Sequence, residues 1–160
     1  MNSSVYKNRV AAILKTGLIA GTCDITCAML HYVIRTGNNP LRILNYVASA
    51  IFGQQASEPG ILMPVLGLFF HFIIAIIFAA FFFFIYPRFK FLSKNIIVSG
   101  VAYGVFVWLI MNLIVVPLSP IGRFPSNAFN AVIGLIIIII AIELPIVILT
   151  YRYYINNSKL

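Results

Sequence analysis

Four long apolar runs decide what this chain of 160 residues can fold into. A helix needs about 20 mainly apolar residues to cross roughly 30 Å of hydrocarbon, and the runs at 10–34, 61–86, 96–116 and 128–151 each reach that length. Within them Phe81-Phe82-Phe83-Phe84, the stretch 105–110 and the stretch 136–140 have no aqueous face. Amphipathic packing in a soluble bundle therefore cannot account for them. Composition agrees: 62% of residues are hydrophobic and 9% charged, where a soluble domain carries roughly a quarter charged. The first run holds Lys15, Asp24 and His31, and a central Asp costs about 2.5–3.5 kcal/mol on insertion scales. It outlasts a signal-peptide core, and no small-x-small cleavage pattern closes it, so it reads as a retained span. The expected fold is all-α, a single integral membrane domain built as a four-helix bundle.

The net charge of +8 does not indicate nucleic-acid binding, because the bases sit singly at the span ends instead of forming a stripe. Lys7, Arg9, Lys15, Arg88, Lys90, Lys94, Arg152 and Lys159 fall on one side, and Arg35, Arg42 and Arg123 on the other. The positive-inside rule then puts both termini and the 87–95 turn in the cytoplasm. Tyr86, Phe89, Phe91, Tyr151, Tyr153 and Tyr154 give the same rim an interfacial aromatic belt.

The apolar piece 41–52 is too short to span and reads as a helix in the outer interface. Asn39-Pro40 supplies its start and Gly53 its stop. Arg42, Asn45 and Ser49 form a narrow polar stripe opposite Leu44, Val47, Ile51 and Phe52. Such a helix can cap the bundle, or act as a lid or partner-docking element. Prolines 117, 120 and 125 mark 117–127 as a stiff outer loop that is not helical throughout.

Small residues mark the faces on which helices meet, since in lipid close backbone approach replaces hydrophobic burial as the packing force. Gly17 and Gly21 form a GxxxG pair that continues at helical spacing into Asp24, Ala28 and His31. Gly100 and Gly104 repeat the device in the third run, Gly67 shares a face with His71 in the second, and Gly134 lies in the fourth beside Asn130. These faces predict packing within one chain or a homo-oligomer.

Depth, at about 1.5 Å per helical residue, pairs the polar residues: Asp24 with His71 near the midplane, His31 with Asn112 nearer the outer end, and Tyr103 with Glu143 nearer the cytoplasmic end. Ionisable groups in a membrane interior mark routes for ions, protons or substrates. The structural reading is that Asp24 bonds His71, and Glu143 bonds Tyr103 or a carbonyl freed by Pro145, fixing helix register. Pro145, two residues after Glu143, should kink the fourth helix. Cys23, Cys27 and His31 share one side of a helix but lack a fourth ligand, so no metal is assigned. No cofactor motif and no nucleophile with an adjacent base is evident.

From Gly67 to Pro120 the chain resembles the YagU-like family of small bacterial inner-membrane proteins. The residues that carry the likeness are His71 in a Phe-rich span, Pro87 before a short basic turn, Gly100 and Gly104, and Met111 ahead of Pro117-Leu118-Ser119-Pro120. The resemblance implies a four-span protein of the bacterial inner membrane and assigns no activity. With three acids and two histidines, the chain points away from an enzyme. It fits a structural or accessory subunit, or an oligomeric carrier of small solutes or protons. The alternative is a lipid-binding or lipid-modifying protein whose outward pocket is lined by Asp24, His31 and His71.

Overall fold

A computed structural model describes residues 3–122 and 128–157. It is all-helical among the described residues: α1 (Ser3–Thr36), α2 (Leu41–Phe52), α3 (Leu62–Ile85), α4 (Ile96–Leu118) and α5 (Phe129–Asn157). Four of these, all but α2, are long and apolar enough to cross a membrane. Arg123, Pro125 and Lys159 lie outside the described residues.

Local chemistry sets the helix ends. The Asn39 side chain accepts from the Leu41 amide at 2.9 Å, which starts α2, and Gly53 stops it at φ 57°, its amide donating to the Ser49 carbonyl. Asn95 caps α4 by accepting from the amides of Ile97 and Val98 at 3.0 and 3.1 Å. The 117–127 expectation is corrected at its start, for α4 continues through Pro117 to Leu118. Its helix widens into a π turn at Ile110–Val115, and α5 does the same at Ile138–Glu143. Each π turn ends two residues before a proline, Pro117 or Pro145. A proline ring collides with the carbonyl four residues back and offers that carbonyl no donor. Leu113 and Ala141, which hold those carbonyls, both lie inside the widened turns, where the collision is relieved. Pro145 is thus accommodated by a π turn on its N-terminal side.

The glycine faces are filled from within the chain. A Cβ on Gly17 would come 2.7 Å from the Ile76 Cα, and one on Gly21 would sit 3.0 Å from Phe72 and 3.1 Å from Ala75, so this face of α1 beds onto α3. Gly100 and Gly104 bed onto Leu144 and Ile139 of α5. Gly67 lies beneath the backbone of Leu44, letting α2 settle directly on α3. Gly134 is looser, with only the Trp108 indole nitrogen at 4.0 Å. As expected, α2 turns Leu44 inward, with Ala48 beside it, but against expectation it leaves Ile51 half-exposed, because the close approach at Gly67 fixes its rotation.

The result is a sequence of neighbours in which α1 packs against both α3 and α5, and α5 against both α1 and α4. The α3 and α4 backbones hardly approach each other. In the half of the bundle away from α2, aromatic rings span that gap: Tyr103 lies 4.7 Å from Phe82, and Phe106 stacks at 5.6 Å on Phe81. At that basic end, Arg9 and Tyr154 both donate to the Phe83 carbonyl at 2.9 Å, and Arg9 sits 5.0 Å over the Phe84 ring. The Phe83 carbonyl belongs to the last turn of α3, which has no intrahelical donor for it and carries the negative end of the helix dipole.

Candidate functional site

Toward α2 the same gap between α3 and α4 is bounded by smaller side chains, Ile74 and Ala75 on one wall and Val107 and Met111 on the other. A cavity of about 230 Å³ remains there, and Asp24, His71 and Asn112 line it. Both π turns border it, through Met111 and Asn112 from α4 and Ile138 and Ile142 from α5. Tyr46 and Val47 of α2 form its cover. Beside it lies an apolar chamber of about 280 Å³, walled by Ile51, Phe70, Ile73 and Val115. The two spaces share Tyr46, Val47, Ile74, Met111 and Val116.

His71 is held by its Nε2, 2.9 Å from the Gly21 carbonyl. A carbonyl only accepts, so Nε2 carries the proton, and in the neutral ring Nδ1 is left as an acceptor. Glycine at 21 brings the two helices close enough for this bond. Asp24, one turn further along α1, is partly open, has no hydrogen-bond partner among the described residues, and interacts electrostatically with His71. The expected Asp24–His71 pairing is therefore corrected in kind. The two groups are neighbours in one cavity, while the hydrogen bond of His71 goes to the α1 backbone.

Glu143 interacts electrostatically with Asp24, and Tyr103 with Glu143. The pairing expected for the last two does not form, because the Tyr103 hydroxyl donates to the Phe78 carbonyl at 2.8 Å. Glu143 is fully buried in its π turn against Gly104, and neither carboxyl oxygen has a hydrogen-bond partner among the described residues. Nor does Asn112 bond His31, since its amide donates to the Trp108 carbonyl of its own helix at 3.0 Å. His31 is half-buried and is not in the cavity wall. Cys23 and Cys27 are exposed on α1, and no group of three or more His, Cys, Asp or Glu side chains is placed to hold a metal among the described residues.

Asp24, His71 and Asn112 thus converge on one cavity, Glu143 and Tyr103 continue from it into the packed interior, and His31 stands apart. Three features escaped sequence reasoning: Tyr46 at the junction of the two chambers, the pair of π turns, and buried Thr16, Ser99 and Thr150 deeper in the bundle. The signal for the π turns was present in Pro117 and Pro145. Comparison with family models, with curated proteins and with solved structures finds no match for this chain.

Proposed function

We propose that this is a non-enzymatic membrane protein that binds an amphiphile in the paired chambers beneath α2. The observation that carries the reading is the shared wall between a mainly apolar chamber that holds Asp24, His71 and Asn112 and a second chamber with almost no polar lining. Ligand pockets combine mostly apolar linings with a few convergent polar groups, and an apolar chain with one polar branch fits that division. Phe70, Ile73 and Ile51 suit the chain. Asp24 and the free Nδ1 of His71 accept hydrogen bonds, so the branch facing them carries a donor such as a hydroxyl or an amine.

The proposed setting is the bacterial inner membrane, as the YagU-like resemblance implies, with both termini in the cytoplasm. The clustering of Arg9, Arg88 and Tyr154 at one end supports that orientation. Reporter fusions at the C-terminus and after Gly53 should then report opposite sides, and finding both on one side would reverse the assignment.

A second reading, a proton-linked carrier, draws on the buried polar residues Glu143, Thr150 and Thr16, which continue from the cavity toward the basic end. The same two variants test both. Protein purified in mild detergent should retain an amphiphile detectable by mass spectrometry of its lipid extract. Asp24→Asn and His71→Ala should each lower that retention about tenfold, equivalent to ~1.4 kcal/mol, while remaining folded. Equal retention in all three proteins overturns the amphiphile reading. For the carrier, pH-driven flux in liposomes that ignores both substitutions removes the relay.

A further inference from the structure

On the far side of α2 a third cavity, open and of about 380 Å³, is lined by Arg42, Asn45, Tyr46, Ser49 and Ser57. Tyr46 is common to this vestibule and to both chambers beneath the helix, so the three spaces meet around one half-exposed side chain. The vestibule differs in character from the other two. Arg42 brings a positive charge that has no protein partner among the described residues, whereas the neighbouring cation Arg35 is engaged with Asn130. Among the described residues no acid lines it; Glu58, next to Ser57, is exposed and outside the wall. Asn45 carries a side-chain oxygen that is buried and has no hydrogen-bond partner among the described residues. Ser49 already donates to the Tyr46 carbonyl at 2.7 Å, which leaves the Ser57 hydroxyl and the Asn45 amide as the neutral polar groups. Burial raises the Tyr46 phenol above its ordinary range, so its hydroxyl keeps its proton at neutral pH.

A lone guanidinium flanked by neutral hydrogen-bonding groups, on a helix at the membrane interface, is suited to a phosphate oxyanion. We infer that the vestibule is a phosphate site and that it holds the headgroup of the amphiphile whose chain occupies the chamber walled by Phe70 and Ile73. The ligand is then a phosphate-bearing lipid that straddles α2 at Tyr46. This inference rests on the amphiphile reading and narrows it to a chemical class.

The test uses the full chain in dodecyl maltoside with three probes: phosphatidylglycerol, whose headgroup hydroxyls supply the donor that Asp24 and His71 call for, diacylglycerol of the same acyl composition, and inorganic phosphate. Binding is read by native mass spectrometry and by titration. Phosphatidylglycerol should bind at least tenfold more tightly than diacylglycerol. Arg42→Gln should erase that preference without moving the melting temperature, and Arg35→Gln should keep it. Inorganic phosphate alone should bind weakly and fail to displace the lipid. Equal binding of the two lipids, with no phosphate binding, overturns the phosphate site and leaves the amphiphile reading standing. Arg42-dependent binding of inorganic phosphate with no preference between the lipids makes the source a soluble anion and overturns the headgroup assignment. If no probe binds, both readings fall.

Discussion

Gly67→Ala should lift α2 off the bundle and lower thermal stability by an amount readable in a detergent melt. The added methyl would be driven into the carbonyl of Leu44, coming 2.8 Å from its carbonyl carbon. The obstacle is backbone, which cannot swing aside as a side-chain tip can. Alanine would otherwise be favoured in mid-helix by up to ~1 kcal/mol, but overpacking costs about 1–3 kcal/mol, and here it falls on the contact that seats the cover of both chambers. Gly134→Ala is the matched control, because its methyl meets only the Trp108 indole nitrogen at 4.0 Å. The control should melt at or slightly above the wild-type temperature. Gly67→Ala should melt several degrees lower and lose bound amphiphile. Coincident melts for the two variants would show that α2 is not seated as described.

The opposite sign is expected at Glu143, where Glu143→Met should raise stability. Both carboxyl oxygens are buried with no hydrogen-bond partner among the described residues, and leaving a buried polar group unsatisfied costs about 1–3 kcal/mol. Methionine is similar in length, flexible, and free of that demand. Glu143→Gln keeps a polar head in the same place and should recover little of the gain. A rise in melting temperature for the methionine variant alone, with loss of amphiphile retention or of flux, would mark Glu143 as a group kept for function at a cost in stability. A lower melting temperature for Glu143→Met would mean that the carboxyl is satisfied in the folded protein and that its isolation is only apparent.

The spans were legible because a membrane leaves a chain few options: apolar runs such as Phe81 to Phe84 can only be helical in lipid. The α2 boundaries were legible for a local reason, since Asn39 and Gly53 act on backbone groups two and four residues away. The site was legible in depth and not in azimuth. Counting residues placed Asp24 level with His71, and both line one cavity. The same counting placed Tyr103 level with Glu143, yet the Tyr103 hydroxyl turns to the Phe78 carbonyl on α3. Rotation about a helix axis is set by the neighbours, and the two π turns alter it in ways no straight helical wheel contains. Tyr46 was missed because a tyrosine on an interfacial helix looks like an ordinary membrane anchor until three cavities are seen to meet beside it.

The two π turns also carry a consequence for registry. Each inserts one residue more per turn than an α-helix, and one residue is about 100° of azimuth. In α5, the face that presents Gly134 is therefore out of phase with the face that packs Leu144 beside Gly100, and in α4 the same break separates Gly104 from Val116. Each helix thus behaves as two segments clocked independently, one matched to its tight neighbour and one to the chambers. Residues of α4 and α5 that border the cavity can therefore change azimuth without moving the Gly100 contact with Leu144, whereas on α1 and α3 the cavity wall is tied to the glycine contacts at Gly21 and Gly67.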